Sequence, residues 1–595
     1  MSDIQGIMKF ELLPNEILFI FFEYLNIFDI FYSFDQLNNR FSKFIRNIRF
    51  QLNFENVQKT LFDKFCTKIE LNPEIKNQIY SLKLSNKETC GQINAFLSIF
   101  SFNEFSYLKS LTLVDVEKQN IRKLKTELPQ LSKLIFFHMI CQIFEDNEIL
   151  NILPMFNLRT LSILSLHSIQ TSINNTSNII NLTIHICSLE DLLYHLFKYF
   201  PMLKYLNIEF ISRHNHSIKN DNSIINKYNG IHLNQLIIGL FKYNFEDLEI
   251  FVKQIPNLKS LTIHSKNDIN MINADKWKNL IQSSLTHLNI FKFKFSCNRK
   301  HNDKFILEMF QHFQDDFWCK QHQWYTECLF EKFLVSIYTI PYLLNRYKLE
   351  LNINRFSIKL INNSTIFDKV IYLTLDDKII TDKCQYHFSN IDSLRLFTSE
   401  MNQNPIDIYY LKMIVNLSNL KHLDMFMYKK IISSKELLEI LKQSPKLSTI
   451  TIDPINLKLL FNDNELCKYF NKMIKKLHID NKQFNLSLNN LNQSKNFQPS
   501  FNNHNELKKF CDIFSNIEQL ICYISESEDI LFLLNQLTKL STMKVYLPSL
   551  GGHDYFSTLF RRESSRLNFI FRVRGIHANA PELSLWIGRN ELIMY

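Results

Sequence analysis

Two hydrophobic periods alternate along most of this chain. One is a short strand frame, L-x-x-L-x-L, met first in YLKSLTLVDV as Leu108, Leu111 and Leu113. It returns in LRTLSIL (Leu158, Leu161, Ile163), PMLKYLNIEF (Leu203, Leu206, Ile208), PNLKSLTIHS (Leu258, Leu261, Ile263), SLTHLNIF (Leu285, Leu288, Ile290) and NLKHLDMF (Leu420, Leu423, Met425). The other is a helical pattern, as in LEDLLYHLFKYFP (189–201), FEDLEIFVKQIP (245–256) and SKELLEILKQSP (434–445). Each such segment starts near an acidic residue or Ser and runs into a Pro, the expected helix start and stop signals. The central leucines Leu82, Leu111, Leu134, Leu161, Leu182, Leu206, Leu236, Leu261 and Leu288 recur at roughly 20 to 30 residues. One strand–turn–helix unit cannot bury its own apolar side. Stacked units can, so the pattern predicts an α/β array that buries a continuous leucine spine and needs a cap at each end.

The frame is interrupted. Residues 296–368 lose it and read as an aromatic-rich helical insert, FILEMFQHFQDDFWCKQHQWYTECLFEKFLVSIYTIPYLL. Repeats resume over 369–550, carry an Asn-rich exposed loop at 485–505, and end in a cap, 551–595, with closing strands in RLNFIFRVRG and PELSLWIGRN. Ahead of the first repeat block, 81–295, the chain divides into a tail (1–9), a segment 10–50 that holds an apolar helix, and a helical linker (51–80). Within 10–50, the segment from Asn15 to Leu25 is apolar almost all round, whereas an ordinary surface helix shows one apolar stripe. A segment of about 40 residues cannot build that much cover alone.

Composition narrows the reading. With 595 residues, 46% hydrophobic and 21% charged, this is a folded chain. Eleven cysteines without a C-x-x-C pair read as reduced thiols, and MSDIQGIMKF lacks the basic start of a secretory leader. The expectation is a cytoplasmic or nuclear protein with no membrane partner. The net charge of +10 is spread over single lysines and pairs such as Lys429-Lys430, which describes a solvated surface. Eight glycines leave no phosphate-cradling loop, and neither H-E-x-x-H nor G-x-S-x-G occurs, so no catalytic residue and no cofactor are assigned. His312, Cys319, His322 and Cys328 are the one metal-like group. Their spacing fits no zinc pattern and Trp318 and Trp324 flank them, which favours aromatic packing over a metal. Arg561, Arg562, Arg566, Arg572 and Arg574 form a terminal basic patch, read as a solvated face.

Leu13-Pro14-x-Glu16-Ile17-Leu18, Ile20-Phe21, Tyr24-Leu25, Asp29-Ile30 and Leu37-x-x-Arg40-Phe41-x-x-x-Ile45 resemble the F-box, with Asn38 and Phe41 where Cys and Trp are frequent in that family. The resemblance covers about 40 residues. With the period of leucine-rich repeats behind it, the chain is similar to F-box proteins of the leucine-rich-repeat class. That resemblance implies a three-helix module docked on a Skp-type adaptor and through it on a cullin, with the repeats holding a protein substrate for ubiquitin transfer. The implied adaptor-facing residues are Leu13, Pro14, Ile17, Leu18, Phe21, Leu25, Ile30 and Leu37. The chain itself would then be a non-catalytic subunit. A repeat scaffold unrelated to ubiquitin is the alternative, and an enzyme or ligand receptor using the 296–368 insert is a second.

Strand alternation predicts which side chains point away from the spine. These include Tyr205, Asn207 and Glu209; Ser260, Thr262 and His264; His287, Asn289 and Phe291; and His422, Asp424 and Phe426. Of these, Tyr205, Asn207, Glu209, His264, His287, Phe291 and Phe426 are the candidate substrate contacts. None is Lys or Arg, which suits a protein partner and argues against nucleic acid.

Overall fold

A computed structural model describes residues 10–35, 37–141, 157–165, 177–212, 229–266, 268–299, 303–351, 353–356, 363–397, 406–425, 433–480, 500–501, 503–547, 553–575 and 581–588. The 1–9 tail, Phe426, Gly551-Gly552 and most of the Asn-rich stretch lie outside them. The chain forms two compact units, residues 1–164 with 177–179 and residues 180–595 with 165–176. Both are mixed α/β.

The first unit opens with three short helices, α1 (Asn15–Glu23), α2 (Ile27–Ser33) and α3 (Asn39–Asn47). Pro14 stands just ahead of α1, where a missing N–H leaves nothing unpaired. Asn26 and Asn38 cap α2 and α3 by accepting the backbone N–H of Asp29 and Phe41 at 2.8 and 2.9 Å. A helix start leaves such donors unpaired, so these caps decide where the helices begin. Phe22, Phe34 and Phe41 pack ring on ring inside the bundle, with centroids 4.9–6.4 Å apart. Arg40 donates to the carbonyls of Glu11 and Leu13 and to Asn15 Oδ1, tying the chain before α1 to α3.

These three helices do not close on themselves. Phe28 and Phe31 of α2 sit on Phe65 of α4 (Lys59–Leu71) at 4.9 and 5.5 Å, and Phe31 on Phe50 of β1 (Phe50–Asn53) at 5.3 Å. Buried Gln78 donates to the carbonyls of Ile45 and Ile48 at 2.7 and 3.0 Å, pairing acceptors at the end of α3. Residues 51–80 are therefore a wall of the module and the first strand of the sheet, not only a helical linker. From there β1, β2 (Ile79–Ser85), β3 (Ser110–Val116), β4 (Phe136–Cys141) and β5 (Thr160–Ser165) lie parallel in chain order.

The second unit repeats the plan with β6 (Asn181–Cys187), β7 (Tyr205–Ile211), β8 (Gln235–Phe241), β9 (Ser260–Lys266) and β10 (Ile290–Asn298), again parallel in chain order. Apolar side chains meet in register, as stacking requires: Leu82, Leu111, Phe137 and Leu161 in the first unit, and Leu182, Leu206, Leu236, Leu261 and Phe291 in the second. All are buried. Two frames are corrected here. Phe137, not Leu134, and Phe291, not Leu288, hold the central row. Each segment contains two overlapping apolar frames, and counting leucines selects the wrong one by three residues.

The insert is also corrected. Among the described residues the insert is helical only at Asp303–His312, a π-turn at Phe317–Gln321 and a short turn at Asn363–Ile366, and otherwise forms β11 (Thr326–Phe330), β12 (Leu334–Thr339), β13 (Arg346–Leu349) and β14 (Asn354–Phe356). The runs TECLF and LVSIYT are buried on nearly every position, so neither a helical nor an alternating period is visible in them. The chain weaves here. β12, β11 and β14 add antiparallel to β10 and end the parallel run, while β13 starts a second sheet. That sheet continues parallel through β15 (Tyr372–Asp376), β16 (Ser393–Phe397), β17 (His422–Asp424), β18 (Thr449–Ile452), β19 (Lys476–Ile479), β20 (Gln519–Tyr523) and β21 (Thr542–Tyr546). It ends on an antiparallel pair as expected, β22 (Phe569–Gly575) and β23 (Pro581–Ile587), with β23 against β21.

A buried charge pair marks the weave. Glu327, 0% exposed, accepts from the Tyr338 hydroxyl at 3.0 Å and pairs with Arg355. Arg355 lies over the rings of Phe367 and Tyr386 at 5.7 and 5.6 Å. Both rings belong to segments leading into the second sheet, so this pair seats one sheet's end on the other's beginning. Removing one partner of such a pair leaves an uncompensated buried charge. Arg355→Leu is expected to lower unfolding stability by about 3–5 kcal/mol, and Arg355→Leu with Glu327→Gln to recover most of it, as read from urea midpoints.

Candidate functional site

Two surfaces carry the sequence candidates. On the first unit, α1 has two apolar stripes instead of one. Leu18 and Phe22 point inward, 0% and 3% exposed. Ile17, Ile20, Phe21 and Tyr24, spaced i, i+3, i+4 and i+7 on one helix face, stay 47%, 52%, 43% and 86% exposed. Leu12 and Leu37 are exposed on the same module, Pro14 is exposed, and Leu13 and Leu25 are half-buried. Leu18 and Ile30, expected to face an adaptor, are instead core residues of the module itself. The expectation failed there because an all-round apolar helix does not reveal from sequence which face meets its own fold. Phe19, Leu25, Ile27, Arg49 and Gln51 line a cleft of about 730 Å³ between the α1–α2 turn and β1.

On the second unit, the strand face opposite the leucine rows is continuous from β6 to β10. Tyr205, Asn207 and Glu209 lie on it as expected, and Glu209 accepts an ion pair from His185 Nδ1 at 2.7 Å. Gly239 follows in the same row, where a Cβ would stand 2.5 Å from the Glu209 carbonyl oxygen. His264 Nδ1 is 3.1 Å from the Gly239 carbonyl, so the ring donates there and is protonated on Nδ1 when neutral. Its Nε2 is buried without a partner. Burial, with Lys294 and Lys266 beside it, pushes the His264 imidazole down to about 4.

The frame shift at β10 changes this face. His287 lies in an exposed turn before the strand and not on its outward face, and Phe291 is 1% exposed in the core and is no surface contact. Phe426 lies outside the described residues. In place of His287 and Phe291 the outward positions of β10 are Lys292 and Lys294. On the second sheet Arg395 and Lys544 also face outward, Arg395 paired with Asp424 at 2.6 Å. The expectation of an outward face without Lys or Arg is therefore overturned, and with it that part of the argument against nucleic acid.

Lys294 donates to the Tyr342 hydroxyl at 2.8 Å. Burial pushes its ammonium down, opposed by Glu331. Glu331, half-buried, is itself pushed up by burial against the pull of Lys294, with Lys348 and Lys266 nearby. The metal-like cluster is dispersed into packing: His322 stacks on Trp324 at 4.1 Å, His312 pairs with Asp275 at 3.0 Å, and Cys328 is buried in β11. Among the described residues no group of three or more His, Cys, Asp and Glu side chains is placed to hold a metal ion, and no helix is long and apolar enough to cross a membrane. Of the terminal arginines, Arg562 and Arg566 both pair with Glu563.

No family model matches the chain, and neither does any curated protein. Among matching solved structures is a structural genomics target from Bacteroides fragilis, 17% identical, with a TM-score of 0.23 over 40% of this chain and 69% of that one. A likeness that slight carries no functional argument.

The depressed His264 gives a pH signature. As pH falls below about 6.5 the unfolded chain takes up the proton first, so stability present above that pH is withdrawn until pH nears 4, where the folded state also protonates. The loss is on the order of 3 kcal/mol. His264→Gln is expected to flatten the fall in urea midpoint between pH 7.5 and 4.5 relative to wild type; an unchanged pH slope would show that this imidazole is not buried neutral.

Proposed function

We propose that this chain is the substrate-holding, non-catalytic subunit of a Skp–cullin–F-box type ubiquitin ligase. In this reading α1–α3 are an F-box and the strand–helix units are an irregular leucine-rich repeat array. The observation that carries it is the second apolar stripe of α1. Four large side chains at one helical spacing stay substantially exposed, Phe21 with one edge on Phe10, on a helix whose opposite side is already core. Contiguous exposed apolar surface of this kind marks an interaction site. Covering it contributes on the order of 1 kcal/mol per side chain, an apolar anchor that further contacts around it would have to supplement against the cost of association. The sequence around it resembles the motif whose family docks on the Skp adaptor. The contact set is revised to Ile17, Ile20, Phe21 and Tyr24, with Pro14 and Leu37 at its margin.

The repeats then present a broad strand face of mixed polar and charged side chains, suited to holding a protein. The alternative, a repeat scaffold with no link to ubiquitin, shares that face and differs only in what α1 meets. Affinity capture with a Skp-type adaptor separates the two. Ile17→Asp with Ile20→Asp is expected to abolish capture while leaving the urea midpoint within about 0.5 kcal/mol, as for exposed positions. Leu18→Ala is expected to cost about 2–5 kcal/mol of stability by leaving a cavity. If wild type captures no adaptor, the ligase reading fails and the scaffold reading stands.

A further inference from the structure

The end of the parallel run in the second unit concentrates unmatched positive charge. Thr262, His264 and Lys266 alternate along one face of β9, and Lys292, Lys294 and Ser296 occupy the same face of β10 in register with them. Strands lie about 4.8 Å apart and same-face side chains about 7 Å along a strand. Lys266, Lys292 and Lys294 therefore share a spot roughly 10–15 Å across. Lys369 stands close enough to Lys292 for that charge, after burial, to push its ammonium down. Lys348 lies beside Glu331 and pairs with Glu350. Five lysines thus meet two carboxylates: Lys266 shares Glu331 with Lys294 and Lys348 without closing a salt bridge to it, and among the described residues Lys292 and Lys369 have no carboxylate partner.

We infer that this spot on β9–β10 binds an acidic peptide segment, with Lys266, Lys292 and Lys369 meeting its carboxylate or phosphate groups and the unpartnered Nε2 of His264 accepting from a peptide N–H. The inference deepens the ligase reading by naming the class of substrate segment, and rests on that reading only for where the peptide comes from. Two features favour peptide over nucleic acid. The charge is bounded, since Glu209 with its own His185 partner stands in the same row two strands away; a nucleic-acid surface needs a longer basic stripe, because phosphates recur along the whole strand. Moreover Nε2 of the Nδ1-protonated imidazole is an acceptor, buried and empty. A peptide backbone supplies the donor it lacks at every residue, whereas along a nucleic-acid backbone the phosphodiesters supply only acceptors and donors are confined to base edges and ribose hydroxyls. Leaving such a group unmade in the complex would be costly.

The test uses the full chain and fluorescence anisotropy with four labelled probes: hexaglutamate, a phosphoserine hexapeptide, hexaglutamine and an oligothymidylate of matched charge. Wild type is expected to bind the two acidic peptides in a salt-sensitive manner and hexaglutamine not at all. The tighter of the two acidic probes identifies carboxylate or phosphate as the group recognised. Lys266→Glu with Lys292→Glu, both at solvent-accessible positions, is expected to weaken acidic-peptide binding at least tenfold, and the exposed control Lys435→Glu to leave it unchanged. Equal binding by wild type and double variant, or tighter binding of oligothymidylate than of either acidic peptide, would overturn the inference. Adaptor capture measured in parallel keeps the two ideas apart. Capture retained by the double variant with peptide binding lost supports both. Peptide binding without adaptor capture in wild type sinks the ligase reading and leaves the acidic-segment site standing.

Discussion

The constraint on which everything else depends is that no strand–helix unit of this chain can bury its apolar side except against a neighbour. The consequence is lateral register. Leu206 must lie beside Leu236, and Leu236 beside Leu261, or a row of leucines faces water. A row so built has no natural stopping point, and its last strand still offers open N–H and C=O groups and a bare apolar layer. Each end of each row therefore needs its own solution, and the chain's least regular stretches are those solutions.

Three ends are visible, and each is built differently. At β1 the row is met by α2 and α4, whose phenylalanines interlock with Phe50 and leave the outer side of α1 unclaimed. At β10 the parallel run is closed by antiparallel β12, β11 and β14, while the intervening β13 opens the next sheet. At β21 an antiparallel pair closes the second sheet. The middle solution buries a carboxylate, a guanidinium and Tyr338 among aromatic rings, an arrangement that is tolerated because every charged group has a partner.

Function follows from the same economy. Where the end is made by strands, β11 and β12 are buried on nearly every position and only the outermost strand, β14, is left largely exposed. Where it is made by short helices, α1 keeps a stripe of Ile17, Ile20, Phe21 and Tyr24 that its own fold does not cover. The lysine spot on β9–β10 arises in the same way, at a place where an ordinary row of strand residues meets the irregular end and Lys294 is drawn against Tyr342.

Periodicity and its turn signals determined the α/β class, the unit length, most of the register rows, helical segments such as 434–445, and two closing strands in RLNFIFRVRG and PELSLWIGRN. These are local consequences of spacing and turn chemistry, legible without knowing what lies alongside. What only the tertiary structure decided is which of two competing apolar faces is core. Overlapping frames at Phe137 and Phe291 are separated only by the neighbouring strand's register, and that choice moved Phe291 inside and Lys292 and Lys294 outside. Leu18 and Ile17 are adjacent and equally apolar, yet one is core and the other bare, because Phe22, Phe34 and Phe41 stand on one side of α1 only. The strands β11 and β12 were hidden for the same reason: buried on both faces, they carry no period to read, and only their partners identify them.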